Sequence, residues 1–104
     1  LTPLQKQIYE DTGLTAVKSD LVDAPYVEEF PLILECRVVK VEKLGVDTMF
    51  VGEIVGIKAD SEALTEGRPD LQKIKPILFS SGDRGYYSVG SRLADAFTQR
   101  NPLK

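Results

Sequence analysis

A chain of 104 residues carrying 13 Lys and Arg against 16 Asp and Glu has a net charge of −3 and a pI near 4.9; that balance excludes a strong grip on nucleic acid or anionic membrane. It holds no histidine and one cysteine, which rules out an intramolecular disulfide, a zinc site of three or four soft ligands, and any Ser-His-Asp or Cys-His pair built from this chain alone. At 42% apolar and 28% charged residues it is one domain's worth of ordinary soluble sequence; it shows no signal-like segment, long apolar run or Asp-rich calcium loop, and a lone reduced thiol points to the cytoplasm.

Thr2-Pro3-Leu4-Gln5 has the form of a capping box with proline at the first helical position. Leu4 and Ile8 share a face and Gly13 supplies the stop, which predicts a short helix over 3–12. Leu14–Ser19 reads as a short strand, and Asp23-Ala24-Pro25 as a turn leading into one helical turn through Glu29. Pro31 opens a long strand with Leu32, Leu34, Cys36 and Val38 on one face and Ile33, Glu35, Arg37, Val39 and Val41 on the other. One apolar and one mixed face is the pattern of a sheet with a single buried side. Lys43–Asp47, containing Gly45, reads as a hairpin loop whose register the spacing leaves open. The second strand places Met49, Val51, Val55 and Ile57 on one side, with Glu53 among them, and Phe50, Gly52, Ile54 and Gly56 on the other.

Asp60–Pro69 is polar, carries Gly67, and is predicted as a surface loop. Asp70 caps a short helix, Leu71–Lys75, which Pro76 ends. Ile77–Phe79 is a brief strand, Ser80–Gly85 a turn-rich loop, and Tyr86-Tyr87-Ser88-Val89 follows. Gly90-Ser91 starts a final helix in which Leu93 and Phe97 pair at i, i+4, closed by Asn101-Pro102. Hairpins with short flanking helices make the fold class mainly β with short helices (α+β), a small antiparallel barrel or sheet.

Several short motifs keep a recognisable order and spacing: Gly13-Leu14-Thr15, Asp23-Ala24-Pro25, Leu34-Glu35-Cys36, Leu44-Gly45, Thr48, Phe50 and Gly52-Glu53-Ile54. Lys75-Pro76-Ile77-Leu78 and Tyr86-Tyr87 continue the series. With them the chain resembles the second half of flavin reductase-like proteins of the FMN-binding split-barrel fold, above all the flavoredoxin group. The likeness covers nearly the whole chain, although no single motif is diagnostic. It implies an antiparallel split β-barrel, here an incomplete part of one. Residues 1–104 would be the C-terminal part of a single flavin reductase-like domain, whose first half supplies much of the FMN pocket. A first residue of Leu1 rather than Met accords with that expectation. The resemblance further implies non-covalent FMN, a homodimer with the flavin near the subunit interface, and either NAD(P)H as donor or a redox partner protein. The flavin then does the hydride chemistry, so no side-chain acid or nucleophile is needed. By itself this polypeptide is expected to bind FMN weakly or not at all.

The same resemblance makes Asp47, Thr48, Phe79, Arg84 and Tyr87 the candidate cofactor-binding residues. In the flavoredoxin group a histidine often stands beside the threonine of the hairpin; here it is Asp47, and an aspartate disfavours an anionic reduced flavin. The simpler reading of Asp47 is a turn residue. Phe79 or a tyrosine could stack on a planar ring and Arg84 could meet a phosphate. Neighbouring strand residues face opposite ways, so at most one of Tyr86 and Tyr87 lines a given pocket; the rival role for these aromatics is packing of the final helix. Cys36, mid-strand on the apolar face, reads as a buried small hydrophobe. Gly52 and Gly56 fall on one side of their strand, roughly 13 Å apart, and mark a bulge or bend. Glu53 calls for a partner in Arg37 or Arg84. The alternative function is a non-catalytic split-barrel module for dimerisation or partner binding; an oligonucleotide-binding barrel is disfavoured by the acidic pI.

Overall fold

The structure is a computed structural model and describes residues 1–97. It opens with helix α1 (Pro3–Thr12). The predicted capping box forms: the Thr2 hydroxyl accepts from the Gln5 N–H at 3.2 Å, and Gln5 Oε1 accepts from the Thr2 N–H at 2.9 Å. Gly13 closes the helix at φ 73°, its N–H bonded to the Tyr9 carbonyl, a conformation glycine adopts without steric cost.

Strands β1 (Ala16–Lys18) and β2 (Pro25–Val27) pair antiparallel, Ala16 opposite Val27. The helical turn expected from Pro25 through Glu29 is therefore replaced by a strand and a turn at 28–29. Tyr26 and Val27 suit an extended backbone, and pairing satisfies polar groups that one isolated helical turn would leave open. The Glu29 carboxylate also accepts the Thr15 N–H at 2.7 Å, tying the two ends together; that bond holds the Glu29 carboxyl below its ordinary range.

The dominant element is the hairpin of β3 (Leu32–Leu44) and β4 (Asp47–Ala59). Leu44 pairs with Asp47, so the turn is only Gly45-Val46, with Gly45 at φ 65°. Asp47 and Lys43 thus belong to the strands, not to the loop in which the sequence placed them. A two-residue connection with a left-handed glycine matches the twist of the strands it joins.

Register slips twice, leaving Val55 of β4 and Val39 of β3 without a partner. Each bulge shifts the inside–outside alternation by one residue. Leu34, Cys36, Val38 and Val41 then share a face with Phe50, Ile54 and Ile57. Glu35, Arg37, Lys40 and Glu42 share the opposite face with Lys58, Glu53 and Met49. The predicted grouping of Met49, Val51, Val55 and Ile57 is corrected accordingly. So is the pairing of the glycines: a Cβ on Gly52 would meet Cys36, whereas one on Gly56 would meet Glu35 and Leu21 on the other side. Period-2 reasoning fails here because it assumes an unbroken ladder.

Beyond the hairpin, the segment expected as loop carries a 3₁₀ turn (Ser61–Ala63) and a miniature hairpin, β5 (Leu64–Thr65) with β6 (Arg68–Pro69). Its two-residue turn places Glu66 and Gly67 at φ 54° and 75°. Asp70 caps α2 (Leu71–Ile74) through the Gln72 N–H at 2.9 Å and accepts from the Thr65 hydroxyl at 2.5 Å. Lys75, at φ 56°, ends the helix before Pro76. Strands β7 (Ile77–Ser80) and β8 (Gly85–Ser88) form the last hairpin. The predicted final helix is absent over 90–97: Leu93 is 79% exposed and Phe97 fully exposed. With no surface beneath that stripe, nothing offsets the cost of helix nucleation. Asn101-Pro102 lies outside the described residues.

The fold is mainly strands with few short helices, and the described residues form four two-stranded sheets rather than a closed barrel. Ala63 is the one buried hydrophobic residue among them. The radius of gyration, 17.3 Å, exceeds the roughly 13 Å of a compact domain of this length. Among the described residues, no helix is long and apolar enough to cross a membrane.

Candidate functional site

The two segments that supply the candidate residues sit on separate hairpins, and β7–β8 is not closely packed on β3–β4 among the described residues. At the β3–β4 tip, Asp47 and Thr48 are exposed strand residues opposite Leu44 and Lys43. Being consecutive, they point to opposite faces. Thr48 lies toward the apolar face and Asp47 toward the charged one, so a ligand on one face meets only one of them.

In β7–β8, Phe79 pairs with Tyr86 and Leu78 with Tyr87. The Phe79 and Tyr86 rings lie 5.6 Å apart at 51° on one face, within the usual range of a tilted aromatic pair. Tyr87 falls on the other face. The structure therefore brings Phe79 together with Tyr86 and separates it from Tyr87. Of the two tyrosines only one faces any given side, in keeping with the alternation argued from sequence.

The loop between these strands is organised by Asp83. Its carboxylate accepts the Gly85 N–H at 3.1 Å and the Tyr87 hydroxyl in a short bond. The Tyr87 bond, followed by one from Ser80, holds the Asp83 carboxyl below its ordinary value. The same bond raises Tyr87, because ionising the phenol would set two negative oxygens together. Arg84, next to this anchor, sits at φ 53°, a conformation uncommon for a side chain with a Cβ. No ion pair among the described residues involves Arg84. The hairpin thus displays an exposed aromatic pair and a free guanidinium on a tip fixed by its own carboxylate.

On the charged face of β3–β4 lies a cluster the sequence reading passed over. Glu35 is buried, its side chain 2% exposed, and accepts from Lys58 Nζ at 2.8 Å and from the Ser19 hydroxyl. The Lys58 bond first, then Ser19, hold the Glu35 carboxyl down, and the Glu35 bond raises Lys58. The Lys58 ammonium also stands 5.5 Å from the centre of the Tyr26 ring. Ser19 Oγ caps the Leu21 and Val22 N–H groups at 3.1 and 3.2 Å. This network fastens the β1–β2 hairpin to β3–β4, so its role is structural. A glutamate flanked by Ile33 and facing a glycine across the strand was the available signal; reading it required the register.

Glu53 finds Arg37, its cross-strand partner, at 3.4 Å, one of the two partners expected. Cys36, in contrast, is exposed rather than buried. It shares its face with Leu34, Val38, Phe50, Ile54 and Ile57, each 50–64% exposed, and no described element covers them. No group of three or more Cys, Asp or Glu among the described residues is arranged to hold a metal ion.

Comparison with known proteins gives a consistent picture. The family model described as flavin reductase like domain matches residues 5–89. The flavoredoxin of Desulfovibrio vulgaris (Miyazaki F) superposes with a TM-score of 0.79 at 40% identity, over 88% of this chain and 49% of that one. The flavoredoxin from Methanosarcina acetivorans gives 0.78 at 29% identity, over 95% of this chain and 53% of that one. An uncharacterised protein of Archaeoglobus fulgidus is 42% identical over 62 residues, 34% of its length. The chain spans about half the length of the two flavoredoxins it matches. The expected split-barrel fold of the flavin reductase-like type is borne out by these neighbours.

Proposed function

We propose, for a chain that belongs to the flavin reductase-like domain family, that it forms the C-terminal part of an FMN-binding protein acting as an NAD(P)H:flavin oxidoreductase or electron carrier. A flavin-related, oxidoreductase-like role is the common ground of that membership. The observation that carries the finer reading is the match over residues 5–89 together with 40% identity to a flavoredoxin.

The residues present fit part of a flavin. Phe79 and Tyr86 offer an exposed aromatic face to a planar ring, and the Arg84 guanidinium is free to take two phosphate oxygens. A bound flavin would supply the hydride or electron transfer, which needs no acid or nucleophile from this chain. The protein's part is to bind and orient: Asp83 fixes the tip that carries Arg84, and the Tyr87 phenol holds Asp83 in place. Thr48 is the member of the β3–β4 tip that shares a face with the apolar side chains, whereas Asp47 faces away from it. Asp47 is therefore the weakest of the five candidates.

The reading includes a cytoplasmic homodimer and NAD(P)H or a partner protein in the electron path. Support for an additional protein surface comes from the half-exposed apolar face of β3–β4. The test is a titration of FMN with this polypeptide, followed by quenching of flavin fluorescence. Weak saturable quenching that Arg84→Gln and Phe79→Ala reduce is the expected result. Quenching unchanged in both variants would remove these residues from the site.

A further inference from the structure

A cavity of about 450 Å³ lies where α2 meets the chain leaving β8. It falls within the size range of small-molecule sites, roughly 300–1,000 Å³. Leu71 and Val89 supply apolar wall, and Gln72, Lys75, Ser88 and Ser91 supply polar groups. Among the described residues, Lys75 is its only charged lining residue. No ion pair among the described residues involves the Lys75 ammonium, and its backbone is held at φ 56° by the end of α2. Nor do the side chains of Gln72, Ser88 and Ser91 take part in a hydrogen bond among the described residues. The Asp70 carboxylate, which caps this helix, is already occupied by the Gln72 N–H and the Thr65 hydroxyl.

One cationic and three neutral hydrogen-bonding residues lining one open hollow make a site for a small anion rich in acceptor oxygens. We propose that this cavity binds a phosphate group, with Lys75 as its charge partner and Ser88, Ser91 and Gln72 as further donors. Arg84 is excluded from it by topology. It lies in the loop that follows Ser80↔Gly85, whereas Ser88 pairs with Ile77 at the other end of the hairpin, about 10 Å away along the strands. The site is thus separate from the candidate flavin residues and does not rest on them.

The phosphate could arrive free or as the end of a nucleotide, and two probes separate the sources. Amide NMR spectra of the full chain are recorded against inorganic phosphate and against AMP. Shifts at Lys75, Ser88, Gly90 and Ser91 with either probe are expected, with dissociation constants on the order of 1 mM for a few charge-assisted bonds in an open site. Tighter binding of AMP with added shifts at Leu71 and Val89 identifies a nucleotide; equal affinity identifies the free ion. Lys75→Gln should weaken binding about tenfold, and Lys75→Arg should restore it. Absence of shifts with both probes, or shifts that persist in Lys75→Gln, overturns the proposal.

Discussion

Replacing Gly56 by alanine tests the re-registered hairpin. A Cβ at this position would overlap Leu21 Cδ1 and stand 3.0 Å from Glu35 Oε1. Alanine in an extended strand gains roughly 0.5–1 kcal/mol over glycine, whereas overpacking costs roughly 1–3 kcal/mol. Leu21 is half exposed and its methyl ends a flexible side chain, so it can swing aside at modest cost. The Glu35 oxygen cannot move freely, because Lys58 at 2.8 Å and Ser19 both hold the carboxylate. The balance is a net destabilisation of about 1 kcal/mol. Urea unfolding followed by circular dichroism should show a lower midpoint with an unchanged slope. In the double variant Leu21→Ala, Gly56→Ala, part of the loss should return, a coupling of about 0.5 kcal/mol or more. Gly52→Ala is the control: its tightest contact would be the Cys36 Cβ at 3.2 Å, with the Arg37 carbonyl and Cys36 Sγ at ordinary distances of 3.8 and 3.9 Å, so a smaller effect is expected. A Gly56→Ala variant as stable as the parent would refute the placement of Gly56 against Leu21 and Glu35.

Glu35 should give the fold an acid limb. Its folded carboxyl is held below the ordinary value by Lys58 and Ser19, so the unfolded state binds the proton more readily. That stability is present above the unfolded value and is lost as pH falls through the folded one. Glu35→Gln should lower stability at neutral pH and flatten the acid limb of a pH series of urea midpoints; an unchanged limb would count against the network. Tyr87 should ionise above an ordinary tyrosine because of Asp83, and Asp83→Asn should bring it down in a spectrophotometric titration. Cys36, exposed on the apolar face, should react with a thiol reagent in the native chain at a rate near that of the unfolded chain. Strong protection would show that the face is covered in solution.

Much of the local structure was legible because it is written in short-range chemistry. The capping box at Thr2, the left-handed stop at Gly13, the cap at Asp70 and the break at Pro76 each depend on residues within a turn of one another. The hairpin loop was placed correctly at Gly45 and drawn too wide, because either flank could pair further. The strand at Pro25–Val27 and the missing helix over 90–97 were misread for the opposite reason. Their states depend on partners, β1 in the first case and an apolar surface in the second. Of the candidate site, the sequence supplied Arg84 and the aromatics by likeness alone. That Phe79 goes with Tyr86 and not Tyr87 required the pairing of β7 with β8.

Composition by itself excluded an intramolecular disulfide, a zinc site of three or four soft ligands from this chain alone, and histidine chemistry, and the order of motifs identified the family. Only the tertiary structure decided which side chains share a face. Two unpaired residues, Val39 and Val55, each add one position to a strand. Because side chains alternate with a period of two, a single added residue sends everything beyond it to the opposite side. That moves Gly56 from Gly52's face onto Glu35's, and gathers Cys36, Val41, Phe50 and Ile54 on one surface. Where a bulge falls is set by what each strand meets across the ladder, and a one-dimensional pattern carries no record of the strand opposite.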